Sequence, residues 1–212
     1  GIVAMAALDP TVSLTLLDGK QVELAAWSGV ADHFVGPNTE EAISVLTQLQ
    51  GLMDARYALL LEHHLRKIEP SGPFGLHVVV IDELAFYLRG GKKADRELFA
   101  ELLRDLIARG RAAGIIVIAA TQKPSHEVVP TWIRDLFAYR LAMRCSSSEA
   151  SDTILGSGWA TRGSSAVDID PSQRGVGLLL AEGGTPDLVK LPYFDDEEID
   201  RIVRNAMLVR RR

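Results

Sequence analysis

Cysteine is all but missing from this chain. Cys145 stands alone inside an apolar run, which excludes a disulfide framework and leaves no set of zinc ligands to assemble. A reducing, intracellular setting is the expectation. Long hydrophobic runs are missing too, since no window approaches the roughly 20 unbroken apolar residues of a membrane span. The opening stretch Gly1 to Leu8 has neither the basic flank nor the cleavage signature of a secretory signal. The chain is therefore expected to be soluble, with no direct membrane contact from this segment. Positive charge is in short supply: 23 Lys and Arg face 28 Asp and Glu, for a net charge of −5. That balance argues against a protein that coats DNA non-specifically and leaves a local basic loop or a ring of subunits as ways to hold phosphates. No repeat or low-complexity tract is present, and Pro and Gly punctuate elements instead of forming a linker. What remains, 212 residues of which 47% are hydrophobic, suffices for one core, and a single domain over residues 1–212 is expected.

The hydrophobic pattern predicts an α/β fold. Val12 to Leu17 reads as a strand ending at Asp18-Gly19-Lys20, with Val22 to Leu24 extended after the turn. Asn38 with Glu41 three residues on is a capping signal that opens a long helix through Leu46, Met53 and Leu60, stopped by Pro70-Ser71-Gly72-Pro73. Leu76 to Ile81 and Ile115 to Ala120 are apolar throughout, and Leu98 to Ile107 between them repeats at helical spacing. Unalternating strands are covered on both faces, and a crossing helix makes them a parallel pair. Leu141 to Cys145, Val176 to Ala181 and Leu188 to Leu191 supply further strands, the last two as a hairpin expected at a mixed sheet edge. Asp195 with Glu198 caps a final amphipathic helix.

The sharpest chemical signal is Val78-Val79-Val80-Ile81-Asp82-Glu83, a buried strand delivering two adjacent acids at its carboxyl end, where ligand crevices form. In nucleotide hydrolases the first acid holds magnesium, usually through water, and the next orients the water that attacks the γ-phosphate. A core strand running into a solvated acidic loop would read the same way. One crossover later the strand Ile115 to Ala120 runs into Thr121-Gln122-Lys123-Pro124, where the Gln122 amide is placed to sense a γ-phosphate. A plain polar turn is the alternative.

VVVIDELA, RAAGI, ATQKPS and SSSEASDTIL, in this order, resemble the FtsK/SpoIIIE family of DNA translocases over nearly the whole chain. Asp18-Gly19-Lys20 resembles the family's Asp-Pro-Lys segment with Gly19 in place of proline, and the stretches from Arg174 and from Phe194 resemble its closing strand and helix. The segment Gly156 to Arg174 is most similar to the actinobacterial conjugative and integrative-element branch. The resemblance implies a RecA-like P-loop NTPase core with a largely parallel central sheet flanked by helices and a C-terminal hairpin and helix. It implies an ATP-dependent motor for double-stranded DNA, in conjugation or chromosome segregation, using ATP and Mg2+ as a homo-oligomer, a hexameric ring. Asp82 would hold the metal, Glu83 the water, and Gln122 would be the sensor. Arg111 matches the arginine finger that enters a neighbour's site, with Arg109 second; an ordinary arginine at a helix end is the alternative. Lys123 and Arg134 match DNA-facing positions, whereas Ser148 and Asp152 stand where relatives resembling the cell-division motor carry basic residues. The location implied is cytoplasmic, with room for a full-length form tethered to the inner face of the membrane.

The phosphate-binding loop is the conspicuous omission. No Gly-x-x-x-x-Gly-Lys-Ser/Thr string occurs in the chain. Gly1 to Leu8 has the character of the helix that follows that loop, so a fragment that hydrolyses ATP poorly alone is expected. A non-catalytic DNA-binding or ring-assembly module of the same fold is the rival reading. His63-His64 lacks spaced partner ligands, so no metal site is expected there. Arg210-Arg211-Arg212 reads as a frayed helix end.

Overall fold

The computed structural model describes residues 1–70, 72–122, 124–125 and 128–210. They cluster into two compact units, one of Ile2–Gln122 with Asp195–Arg212, the other of Lys123–Phe194 with Gly1.

In the first unit the apolar runs build an all-parallel sheet. Its strands are β1 (Ser13–Asp18), β2 (His33–Val35), β3 (His77–Asp82) and β4 (Ile115–Ala119), in the order β2-β1-β3-β4. Successive side chains of a strand point to opposite faces. Leu14 and Leu16 of β1 and Val78 and Val80 of β3 pack into one core cluster with Ala4, Trp27, Val203 and Ala206. Their neighbours Leu17, Val79 and Ile81 are equally inaccessible at 0% exposure, so both faces are covered, which is why the runs show no alternation. Helix α1 (Ile2–Leu8) and the last helix, α7 (Asp196–Arg210), pack together on the first face. Helices α2 (Thr39–Glu62) and α4 (Lys93–Gly110) pack on each other, with α4 also against β4.

Both predicted caps form. The Asn38 side chain accepts the Glu41 N–H at 3.2 Å. Asp195 and Glu198 bond reciprocally, the Asp195 carboxylate accepting the Glu198 N–H at 2.8 Å and the Glu198 carboxylate the Asp195 N–H at 3.2 Å. Helix α2 nevertheless ends at Glu62, ahead of Pro70, with His64 in the left-handed region at φ 54°. Val22 to Leu24 is not a strand. The buried Asp18 carboxylate accepts the N–H groups of Lys20 (3.1 Å) and Leu24 (2.9 Å), curling the chain into a turn that leads to a 3-10 helix over Ala25–Val30 and then β2. The end of α7 is not frayed at Arg210, whose guanidinium donates to the carbonyls of Ala6, Ala7 and Val12 at 2.8 to 2.9 Å. Arg211 and Arg212 lie outside the described residues.

The second unit holds β5 (Arg140–Met143), β6 (Val176–Leu180) and β7 (Asp187–Lys190), with α5 (Thr131–Arg134) and α6 (Ser148–Leu155). The hairpin β6–β7 is present, but as part of a separate antiparallel sheet β5-β6-β7 and not as an edge of the parallel sheet. Strand β6 pairs on both sides within this sheet, with β5 and with β7. Asp152 has a structural task that a basic residue could not perform: its carboxylate accepts the N–H groups of Gly158 (2.8 Å) and Ala160 (2.9 Å), fixing the loop after α6.

A buried imidazole sits at the start of β3. His77 is 5% exposed and its Nε2 is 2.8 Å from the Thr15 hydroxyl. Burial, aided by Arg56 and His33 and opposed by Asp32, pushes its pKa down to about 4. The unfolded chain therefore takes up a proton below pH ~6.5 that the folded chain refuses until about pH 4, and stability falls as the pH drops through that window. Urea unfolding is expected to show a loss of about 2 kcal/mol between pH 7 and 5, largely removed in His77→Gln.

Candidate active site

Strand register assembles the site. Asp18, the last residue of β1, lies opposite Asp82, the last of β3, and Ile81 lies opposite Ala119 of β4. Past those pairs the chains stay joined. The Gly19 N–H donates to the Asp82 carbonyl (3.2 Å), and the Leu84 N–H to the Ala120 carbonyl (2.8 Å). The residues following all three strands therefore meet at one edge. A Cβ on Gly19 would lie 2.9 Å from Phe86 Cβ and 3.3 Å from the carbonyl oxygens of Asp82 and Glu83, so in this chain the β1 turn approaches the acids closely enough that a side chain there would press on the β3–α3 turn.

Glu83 turns the chain from β3 into helix α3 (Leu84–Arg89) with φ 51° and ψ 62°, a left-handed conformation for a residue with a side chain. Such a conformation costs about 1–3 kcal/mol and persists where surrounding contacts over-determine it. Here they do. The Lys20 ammonium is 2.9 Å from one carboxylate oxygen, the Thr121 hydroxyl donates to the other at 2.8 Å, and the Gln122 backbone N–H donates as well.

The two neighbouring acids are driven apart electrostatically. Burial raises the Asp82 carboxyl, and the negative charges of Asp18 and Glu23 raise it further against the opposing effect of Lys20. Burial also works to raise Glu83, but its bonds to Lys20, Thr121 and Gln122 outweigh that and hold it below the usual carboxylate range. A pair of titratable groups pushed in opposite directions is the pattern of divided acid and base roles. Nearby, Tyr87 is fully buried and donates to the Gly36 carbonyl at 2.9 Å, with its phenol raised by burial and by Asp18 and Asp82.

Among the described residues no group of three or more His, Cys, Asp or Glu could hold a metal by itself. A half-buried carboxylate such as Asp82 suits magnesium held through water and phosphate oxygens instead of a protein cage. The donor set thus fits the metal and water half of a nucleotide site.

The other predicted residues are dispersed. Gln122 is exposed at the end of β4, brought to Glu83 through its backbone N–H. Arg111 is exposed at the end of α4, before β4 begins. The six-residue step from Ile115 to Thr121 at the other end of β4 is about 20 Å, so Arg111 is not brought to the acids of its own chain. Arg109 is committed elsewhere. It forks onto Asp105 at 2.5 Å, reaches Asp54 at 3.1 Å and lies over the Tyr57 ring at 5.7 Å, stapling α4 to α2. Arg134, with its side chain 12% exposed, pairs with Asp135 at 2.9 Å and donates to the Thr153 carbonyl at 3.3 Å. Lys123 lies outside the described residues. Sequence reasoning missed Lys20 and Thr121 as partners of Glu83; the one signal was their adjacency to Asp18 and Gln122.

The model of the FtsK/SpoIIIE family matches residues 2–162. The DNA translocase FtsK of Oceanobacillus iheyensis is 31% identical over 226 aligned positions, covering 97% of this chain and 27% of the relative. The chain spans about a quarter of the length of the curated relatives it matches. Among solved structures, the pCW3 conjugation coupling protein TcpA, in a monomer form with ATPγS, superposes with a TM-score of 0.77 at 21% identity, over 96% of this chain and 58% of that one. ATPases 2 and 3 of EssC from Geobacillus thermodenitrificans superpose with a TM-score of 0.75 at 13% identity, over 99% of this chain and 41% of that one. The fold is that of P-loop ATPase motor domains. Gly19→Ala, which forces a Cβ against the β3–α3 turn, is expected to cost about 1–3 kcal/mol, read as a lowered urea midpoint.

Proposed function

Because this chain belongs to the FtsK/SpoIIIE family, we propose that it is the hydrolytic and sensing part of an ATP-driven motor that moves double-stranded DNA. The observation that carries the reading is the pair Asp82 and Glu83 at the end of β3, shifted in opposite directions and joined to the Gln122 segment of β4. Magnesium-bound ATP supplies the phosphorus that is attacked and the charge that has to be held. Asp82, half-buried among acids, is the position for the metal. Glu83, kept ionised and aimed, orients the water. Gln122 senses the γ-phosphate, and a movement there passes to Lys123 beside it, a DNA-facing position with Arg134. For Arg134 to grip a duplex, phosphate has to replace its pairing with Asp135.

Arg111 completes the site of another copy. Its distance from the acids of its own chain supports a role between subunits, and a planar guanidinium suits phosphate oxygens there. That role fits a closed homo-oligomeric ring, a hexamer, as the family resemblance implies, and with it work in the cytoplasm in conjugative transfer or chromosome segregation. No described helix is long and apolar enough to cross a membrane.

A second reading keeps the same fold and makes the chain a non-catalytic DNA-binding or ring-assembly module that acts with intact partners. Turnover of the 212-residue chain with duplex DNA is expected near background, and brisk hydrolysis that depends on Glu83 would refute that account. In the complete motor, Glu83→Gln is expected to cut ATP hydrolysis at least about 100-fold with nucleotide binding retained. Gln122→Ala is expected to hydrolyse ATP while moving less duplex per ATP; unchanged transport per ATP counts against the sensor assignment. An Asp82–Glu83 pair that is dispensable in the complete motor would favour the module.

A further inference from the structure

Glu83 owes its orientation to groups outside its own strand. The Lys20 ammonium stands 2.9 Å from Oε2, and the Thr121 hydroxyl donates to Oε1 at 2.8 Å. Each carboxylate oxygen thus has its own anchor, one from the turn after β1 and one from the end of β4. Two anchors on separate oxygens fix the terminal torsion of a glutamate, which is otherwise broad. The left-handed backbone at Glu83 aims the side chain but leaves that torsion open. Lys20 is itself well placed. Its backbone N–H is held by the buried Asp18 carboxylate at 3.1 Å. Its side chain keeps 38% of its surface exposed, against 10% for that of Glu83. Among the described residues, the charges that act on Asp82 besides Lys20 are the acids Asp18 and Glu23, so the turn that delivers Lys20 brings a cation into a group of carboxylates.

We propose that Lys20 is a positioning residue for Glu83: opposite Thr121, it clamps the carboxylate in the orientation that addresses the attacking water, and Thr121 ties that orientation to the strand end bearing Gln122. This rests on the reading of Glu83 as the water-orienting acid and assigns the group that holds it. An ion pair serving only stability would leave turnover unchanged.

A double-mutant cycle in the 212-residue chain tests the clamp without nucleotide, from the urea midpoints of Lys20→Met, Glu83→Gln and the pair. Coupled side chains make the shift of the double variant fall well short of the summed single shifts; additive shifts overturn the clamp. Turnover of the complete motor tests its purpose. Lys20→Met is expected to lower kcat about tenfold or more with KM within about twofold, and Lys20→Arg, which keeps the charge, to recover part of the loss. A kcat for Lys20→Met within about twofold of the natural protein overturns the positioning role. If Glu83→Gln itself keeps its turnover, the reading of Glu83 fails, and the urea cycle still decides whether the clamp exists.

Discussion

Parallel register among three strands decides where Asp82, Glu83 and the groups that touch them lie. Because Asp18 is level with Asp82 and Ile81 with Ala119, the chain leaves β1, β3 and β4 at one height, and the residues just beyond, Lys20, Glu83 and Thr121, converge. Sliding one strand by a single residue would exchange its faces, turning buried side chains outward. That slip is blocked because both faces of the sheet are covered, and because Thr15 and His77 are joined across β1 and β3 by a buried hydrogen bond. Burial of the apolar runs on both sides is thus what holds the acids at the strand ends in place.

Adjacency along the chain makes Asp82 and Glu83 look equivalent, yet their surroundings treat them differently. Asp82 is half-buried beside other negative charges, so its ionised form is disfavoured. Glu83 is more deeply enclosed but surrounded by donors, so its ionised form is favoured. The left-handed backbone at Glu83 creates the difference by turning the second acid off the strand direction and into reach of β1 and β4. The local strain is sustained by contacts that run across the sheet.

Much of this was legible in the amino-acid string. The unbroken runs marked β3 and β4, helical spacing marked α2 and α4, and Asn38 with Glu41 and Asp195 with Glu198 marked helix starts that the structure confirms. These signals are local, carried by neighbours in sequence. The three-residue β2 was too short to show a pattern, and the turn before it depends on one side chain, Asp18, catching two backbone N–H groups. The separate antiparallel sheet was hidden because an apolar run does not say which strand it pairs with. The anchoring of Glu83 joins residues 63 positions apart on one side and 38 on the other, and no periodicity encodes such contacts. The acids were readable from sequence; what holds them was not.

Arg210 gathers carbonyls from the first dozen residues with a single guanidinium. Because Val12 immediately precedes β1, that fork fastens the final helix to the start of the strand whose far end presents Asp18 to the acids.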